Sequence, residues 1–203
     1  MHTRTVFDTK ADFILENERV LLRPLMQEDA VLLVPYVTAE PNLWKYALTP
    51  ITNTAELTQY VDAAVQARVA GTAYPFVVVD KLQNKVVGST RFYDLQLQFK
   101  STQLGYTWYS ETCWGTGLND HCKFLLLSFA FETMGLERVE FRADNRNKRS
   151  IAAMQKIGCT IEGVLRNHLP MPNGKRRDSI VLSILKEEWN ASLKQALAAQ
   201  LKT

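Results

Sequence analysis

The stretch from Cys113 to Asn119, Cys-Trp-Gly-Thr-Gly-Leu-Asn, has the residue types best suited to binding a charged ligand. Its two glycines carry no side chain, so the backbone there can approach a ligand closely. Apolar residues follow at helical spacing: Leu118, Cys122, Leu125, Leu126, Phe129 and Ala130. The first N–H groups of a helix have no partner within it and favour an anion, usually a phosphate. The sequence therefore predicts a phosphate-binding turn at the start of a helix.

Hydrophobic patterns around this turn predict one mixed α/β domain over residues 1–203, without repeats or linkers. A polar lead-in, 1–17, precedes the first strand, and a C-terminal helix, 187–203, ends the chain. Alternating or β-branched runs predict seven strands, at 19–25, 76–79, 86–93, 104–109, 138–143, 160–167 and 179–185. Helical spacing predicts helices opening near Gln27, at Thr54 as the N-cap, after the turn, and at Ser150. The strand 104–109 thus leads directly into the phosphate-binding turn.

Composition excludes several classes of protein. With 203 residues, 46% hydrophobic and 22% charged, the chain is typical of a soluble globular domain. A formal charge of +3 is too small to predict nucleic-acid binding by itself. Three widely spaced cysteines, Cys113, Cys122 and Cys159, predict neither disulfides nor a metal site, and favour a reduced, cytoplasmic setting. No apolar run approaches the roughly 18 residues of a membrane span.

Four motifs stand in order along the chain. They are Gly105-Tyr106-Thr107-Trp108; Trp114-Gly115-Thr116-Gly117-Leu118-Asn119; Asn147-Lys148-Arg149-Ser150 leading to Gly158; and Glu162-Gly163-Val164-Leu165-Arg166 followed by Asn173-Gly174, Asp178 and Glu188-Trp189. In this order and at this spacing they resemble the GNAT superfamily of acyl-CoA-dependent N-acetyltransferases. The most similar branch is that of the ribosomal-protein-acetyltransferase-like (RimJ/RimL-type) enzymes.

The resemblance implies a single GNAT-like domain with a central, mostly antiparallel sheet of six to seven strands flanked by helices. It implies acetyl-CoA as the donor, bound by three groups of residues. These are the strand residues Thr107, Trp108 and Tyr109; the turn residues Trp114, Gly115, Thr116, Gly117, Leu118 and Asn119; and Asn147 and Ser150 of the short helix. Two residues depart from the family pattern, since Trp114 replaces a Gln or Arg and Asn119 replaces a Gly or Ala.

The implied reaction is attack of a neutral amine on the thioester of acetyl-CoA. A backbone N–H in the strand 107–109 is the expected donor to the oxyanion. Many family members place a tyrosine acid on the short helix, whereas this chain has Met154 there. Glu111 is the candidate general base, directly or through water, and Ser110 and Tyr109 are the candidate acids for the departing thiolate.

Three further features have two interpretations each. Leu43, Trp44 and Tyr46 either line a binding site or pack on the core. Cys113 lies near a helix N-terminus, where a lowered pKa could make it an acyl-accepting nucleophile, although no paired base is evident. The basic run Lys175-Arg176-Arg177 is interpreted as a solvated loop in preference to a surface that steers an acidic substrate.

The sequence therefore predicts an N-acetyltransferase that moves acetyl from acetyl-CoA directly to a primary amine in a ternary complex. The acceptor is a protein N-terminal α-amine or a small-molecule amine. Two other classes stay open: a protein that binds acyl-CoA as a regulator without turnover, and a ribosome- or RNA-associated binding module. The expected partners are acetyl-CoA and the amine, with no membrane and no metal, and a homodimer is as open as a monomer.

Overall fold

Eight strands form one sheet in the computed structural model, which describes residues 7–201. The strands are β1 Leu15–Glu16, β2 Val20–Pro24, β3 Ala73–Asp80, β4 Lys85–Gln96, β5 Ser101–Tyr109, β6 Arg138–Asp144, β7 Thr160–Pro170 and β8 Arg176–Leu185. Residues 1–6 of the predicted lead-in and 202–203 of the predicted C-terminal helix lie outside the described residues. The sheet confirms the predicted mostly antiparallel architecture, with one strand more than expected.

The helices follow the predicted order, four of them between strands and the last after β8. They are α1 Ala30–Ala39, preceded by a 3-10 turn Gln27–Asp29; α2 Thr54–Val69; α3 Leu118–Ser128, continued by a π-helical turn Phe129–Thr133; α4 Lys148–Lys156; and α5. Helix α5 has three consecutive segments, Lys186–Glu188, a π-helical turn Trp189–Leu193, and Lys194–Gln200. No helix among the described residues is long and apolar enough to cross a membrane.

Two local predictions were wrong. The eighth strand, β1, has only two residues and pairs Leu15 with Leu22, so it is too short to show a period-2 pattern. The N-cap of α2 is Asn53, whose side chain accepts the Glu56 N–H at 2.9 Å, and Thr54 is the first helical residue. Asparagine and threonine are both common N-caps, so the pattern alone does not distinguish the two positions.

The strand order is β1-β2-β3-β4-β5-β6-β8-β7, and every neighbouring pair is antiparallel except β5 with β6. The parallel pair is short, because Ser101–Gln103 is aligned with Arg138–Glu140 and the register goes no further. Beyond Gln103, the edge of β5 that faces β6 has no strand partner in the described part of the chain. The two strands therefore separate and leave a gap in the middle of the sheet.

One core lies on each face of the sheet. Helices α3 and α5 cover one face, where Leu118, Leu126 and Trp189 are fully buried. Helices α1 and α2 cover the other, where Leu33 and Leu57 are fully buried. Successive residues of a strand point to opposite faces. Accordingly Trp108 of β5 belongs to the second core and Tyr109 to the first, which fixes β5 on both sides.

Candidate active site

A cleft of about 1380 Å³ opens where β5 and β6 separate. Its walls come from β4, β5, β6, β7, β8, from α2, α3 and α4, and from the loop before α2. Most of the predicted cofactor-binding residues line it: Thr107, Trp108, Tyr109, Trp114, Gly115, Gly117, Asn119, Asn147 and Ser150. The fold therefore brings together, at one cavity, residues that lie more than thirty positions apart in the chain.

A β-bulge in β5 lies on the wall of this cleft. Ser89 of β4 pairs with Trp108, but Arg91 pairs with Gly105, so β5 has an extra residue opposite Thr90. Tyr106 takes a left-handed conformation, with φ of 50°, which a residue with a side chain rarely adopts. The bulge changes the direction of the β5 backbone N–H and C=O groups beside the gap.

The predicted phosphate-binding turn has the backbone that its glycines suggest. Gly115 and Gly117 have φ of 74° and 83°, and a Cβ at either would meet no protein atom within 4 Å. Gly117 is the N-cap of α3 and supplies no side chain to the first N–H groups of the helix. Two members of the predicted set point elsewhere, since Leu118 is buried in the core and the Thr116 hydroxyl donates to the Cys113 carbonyl at 2.8 Å.

Trp114 organises the basic side of this turn. Its indole N–H donates to the Tyr109 carbonyl at 3.1 Å, and the Arg149 guanidinium lies 3.3 Å from its ring centroid. Arginine stacks well on an indole face. Trp114 thus holds a guanidinium next to the turn at the position where the family pattern has a Gln or Arg. The departure at this residue is offset by a cation from α4.

The Asn147 motif forms the start of α4, two residues before the predicted position. The Asn147 side chain accepts the Ser150 N–H at 3.1 Å, so its oxygen caps the helix. Both residues line the cleft, and the amide nitrogen of Asn147 is the group left to face a cofactor. Met154 also lines the cleft from α4, which places a thioether where a tyrosine acid is usual.

The candidate catalytic residues Ser110 and Glu111 follow β5 but are not among the residues that line the cleft. Glu40, at the end of α1, accepts the Ser110 hydroxyl and the Glu111 backbone N–H, both at 2.7 Å. One carboxyl oxygen of Glu111 is buried without a hydrogen-bond partner among the described residues. Glu40, which sequence reasoning missed, therefore fixes the segment that carries the candidate base.

Tyr109 lines the cleft, but its hydroxyl is buried and has no hydrogen-bond partner among the described residues. Burial, with Cys122 beside it, raises the pKa of Tyr109 well above 10. Burial likewise raises the pKa of the Cys113 thiol, whose side chain is enclosed in the core. A thiol with a raised pKa is a poor nucleophile near pH 7, so the structure disfavours the acyl-cysteine route.

Lys123 of α3 is a buried cation that sequence reasoning missed. Its ammonium donates to the Thr107 hydroxyl at 3.2 Å and lies 5.6 Å from the Phe141 ring centroid. It therefore sits between β5 and β6, where the two strands separate. Burial lowers its pKa to about 8, and no described carboxylate pairs with it. The sequence did indicate that Lys123 would be buried, because it lies on the same apolar helical stripe as Leu126, Leu127 and Ala130.

In the segment 43–46 and in the basic run 175–177, some residues line the cleft and others do not. Tyr46 and Leu43 line the cleft, whereas Trp44 packs against Trp108 with ring centroids 5.2 Å apart. The interpretation of the basic run as a solvated loop was wrong for Arg177, which lies on β8, is only 9% exposed and lines the cleft. No group of three or more His, Cys, Asp or Glu residues within 7–201 is arranged to hold a metal ion.

Known proteins resemble this chain in sequence and in fold. Residues 19–160 match the family model "Acetyltransferase (GNAT) domain". The chain is 26% identical over 176 residues to "Uncharacterized N-acetyltransferase p20" of Bacillus licheniformis, covering 86% of this chain and 97% of that protein. The crystal structure of a GCN5-related N-acetyltransferase from Brucella melitensis superposes with a TM-score of 0.87 at 25% identity, covering 99% and 90% of the two chains.

A Mycobacterium smegmatis RimJ in complex with CoA-disulfide superposes with a TM-score of 0.79 at 21% identity, over 93% of each chain. At this identity the likeness concerns the fold, and the fold is the one that the RimJ/RimL-type motifs predicted. The family match spans well over half of the chain and contains both the phosphate-binding turn and the Asn147 motif. The protein belongs to the GNAT family of acetyltransferases and is an acetyltransferase enzyme.

Proposed function

We propose that this enzyme transfers acetyl from acetyl-CoA directly to a primary amine, with donor and acceptor bound at once. The observation that carries the proposal is the cleft between β5 and β6, with the glycine turn of α3 and Arg149 at one end. A turn with free N–H groups and a guanidinium suits a pyrophosphate. A strand edge without a partner suits the amide groups of pantetheine.

The M. smegmatis RimJ with the same fold is described in complex with CoA-disulfide, which supports a CoA ligand in this chain. Here Thr107, Trp108 and Tyr109 would face pantetheine from β5. Gly115, Gly117 and Asn119 would face the pyrophosphate. The amide of Asn147 and the Arg149 guanidinium would approach it from α4, where Ser150 also lines the wall.

In the proposed reaction the neutral amine attacks the thioester carbon, and the developing oxyanion accepts an N–H of the β5 segment 107–109. The carbon–sulfur bond then breaks and the electron pair leaves on the thiolate. Glu111, through a water, takes the proton that the new amide nitrogen loses. We assign to the Lys123 ammonium the stabilisation of the thiolate, because Met154 cannot protonate it and Lys123 lies in the strand gap.

The direct test is release of free CoA thiol from acetyl-CoA in the presence of a panel of primary amines. The proposal predicts saturable, amine-dependent release with an acetylated product of the expected mass. Tight CoA binding without release for any amine would favour a regulatory acyl-CoA-binding protein. RNA binding that falls steeply with salt, together with no CoA binding, would favour the RNA-associated class.

Replacing Gly117 by valine is expected to raise the KM for acetyl-CoA by about tenfold or more. Valine is strained at φ of 83° and fills space that the protein leaves open for the ligand. Gly174→Val is the matched control, since Gly174 has φ of 76° and open space but lies outside the cleft. An unchanged KM in Gly117→Val, with the control also unchanged, would show that the turn does not hold the cofactor.

Replacing Glu111 by glutamine is expected to lower kcat mainly at low pH, by about tenfold or more. The acceptor amine is mostly protonated there and depends on a base, whereas at high pH it is neutral already. The measurement is the pH profile of kcat at saturating acetyl-CoA. Glu187→Gln, at an exposed position of α5, is the control. A parallel drop at every pH would remove Glu111 from the role of base.

A further inference from the structure

The cleft carries more positive charge than a CoA molecule needs. Nine cationic side chains line it: Lys45, Arg91, Lys123, Arg142, Arg146, Lys148, Arg149, Lys156 and Arg177. Only three carboxylates do so, those of Glu56, Asp120 and Asp144, and Glu140 beside the lining pairs with Arg142, which leaves a surplus of five positive charges (nine minus four). The phosphates of acetyl-CoA supply about four negative charges near pH 7. Part of the positive charge is therefore left for a second anionic group.

Arg91 of β4 is one of these excess cations. It is only 8% exposed, and its guanidinium lies 4.8 Å from the ring centroid of Tyr60 and 4.1 Å from that of Tyr106. It makes no hydrogen bond and no ion pair with any described residue. Two aromatic faces hold the group in place but leave its N–H donors unused. Because Arg91 lines the cleft and none of its nitrogens is sealed from solvent, these donors are available to an anionic ligand there.

Arg177 of β8 is the second cation of the cleft that has donors without a partner. Its Nε donates to the Ser179 hydroxyl at 2.9 Å, and its two terminal nitrogens have no hydrogen-bond partner among the described residues. Asp144 lies nearby, but both carboxyl oxygens of Asp144 accept from the Arg146 side chain, at 2.9 and 2.6 Å. Burial lowers the pKa of Arg177. The negative charge of Asp144 acts in the opposite direction but does not cancel the effect of burial.

Tyr93 lies near both Arg91 and Arg177. It lies two residues after Arg91 on the same face of β4, and its ring centroid is 5.0 Å from that of Tyr106. The charges of Arg142 and Arg177 both act on its hydroxyl. His168 of β7 faces the same region, and burial together with Arg142 and Arg177 lowers its pKa. Arg142 itself is paired with Glu140 at 2.7 Å, so Arg91 and Arg177 are the unpaired cations of this wall.

We propose that Arg91 and Arg177 form a subsite for a side-chain carboxylate of the acceptor, so that the preferred substrate is an α-amine of an acidic residue. The proposal rests on the proposed function, whose acceptor class it narrows. Glu140 and the Arg146-bound Asp144 do not neutralise the subsite, and Tyr93 supplies a hydroxyl beside it. Both a free acidic amino acid and a protein N-terminus that begins with an acidic residue present this chemistry.

The test compares matched acceptors that differ in one carboxylate. These are glutamate against glutamine, and a short peptide beginning with Asp against the same peptide beginning with Asn. We expect kcat/KM to favour the acidic member of at least one pair by about tenfold or more, the effect of a charged hydrogen bond. The pair that shows the preference distinguishes a small-molecule acceptor from a protein N-terminus. Ratios near one for both pairs would overturn the proposal while leaving acetyl transfer intact.

Substitutions at Arg91 and Arg177 test whether these two residues produce the preference for the acidic acceptor. Arg177→Gln and Arg91→Gln are each expected to reduce the acid-to-amide ratio of kcat/KM to near one, whereas Arg177→Lys retains part of it. Arg166→Gln is the matched control, because Arg166 is exposed on β7 and does not line the cleft. An acid-to-amide ratio that survives in both glutamine variants would place the subsite elsewhere and overturn the assignment. The ratio is internal to each variant, so a loss of folded protein does not imitate the result.

Binding of glutarate, a dicarboxylate without an amine, separates this proposal from the proposed function. Calorimetric titration of the CoA-loaded enzyme is expected to show saturable glutarate binding that Arg177→Gln weakens by about tenfold or more. If no amine is acetylated but glutarate still binds in this Arg177-dependent way, the subsite stands and the transfer function fails. If amines are acetylated and glutarate neither binds nor competes with them, the subsite fails and the transfer function stands.

Discussion

Replacing Gly88 by alanine is expected to lower the free energy of unfolding by more than about 4 kcal/mol, enough to leave little folded protein. A Cβ at Gly88 would lie 2.1 Å from the Trp108 carbonyl oxygen and 2.9 Å from the Tyr109 Cα. These are backbone atoms of the neighbouring strand, so no side-chain rotation can relieve the contact. Gly88 pairs with Tyr109 in the register of β4 and β5, and the alanine would force the two strands apart.

The measurement is urea unfolding followed by fluorescence, with thermal unfolding as a second readout. Gly135→Ala is the control: Gly135 has φ of 71° but open space around it, so alanine there costs only about 1–2 kcal/mol of backbone strain. A loss at Gly88 no larger than at Gly135 would mean that β5 moves freely away from β4. That result would contradict a rigid wall for the cleft, since Trp108 and Tyr109 belong to that wall.

Gly88 also shows which parts of the fold the sequence could and could not predict. Seven strands and the helices were predictable because hydrophobic period reports directly on a sheet face or a helix stripe. Gly88 stands within a β-branched run and gives no local signal, since its need for glycine comes from a strand that follows thirteen residues later. The two-residue strand β1 had no period to detect for the same reason: only pairing with β2 defines it.

In the candidate site, too, local features could be predicted from the sequence and long-range contacts could not. The glycine turn at the start of α3 was predictable because backbone conformation, glycine spacing and helix entry are all local properties. Arg91 and Arg177 were not, because 86 of the 203 positions separate them in the sequence and only the register of β4 and β8 places them on one cleft. Glu40 was missed in the same way, since its partners Ser110 and Glu111 are seventy and seventy-one residues away.

Replacing Lys123 by methionine is expected to make the enzyme more stable and less active. Burial lowers the pKa of this lysine from 10.5 to about 8, which costs the folded state about 3 kcal/mol at pH 7. Methionine has similar length, carries no charge and keeps the contact with Phe141. For a domain of this size the melting temperature should rise by about 6–12 °C. Lys85→Met, at an exposed position of β4, is the control and should leave it unchanged.

The stability gained in Lys123→Met is expected to decrease as pH rises. Because the folded pKa of Lys123 is below its unfolded value, the unfolded state binds more protons between about pH 8 and pH 10.5. The contribution of Lys123 to wild-type stability therefore becomes less unfavourable across that window, and the advantage of Lys123→Met, complete at pH 7, shrinks as pH increases. Cys122 and Cys159 face the ammonium, but burial raises the pKa of both thiols to about 12, so they stay neutral there. Urea unfolding of both proteins at about pH 7 and pH 9.5 measures the change.

The same variant is expected to lower kcat by about 100-fold, because the thiolate then departs into the strand gap without a cation. Lys123→Arg keeps the charge and should retain more activity than Lys123→Met. A second readout is the thiol pKa of bound CoA, which should be about one unit or more higher in Lys123→Met than in wild type. A kcat within threefold of wild type would remove Lys123 from the reaction. A stable, slow variant would explain why an unpaired ammonium is kept in the gap: it costs the fold stability and lowers the barrier to thiolate departure.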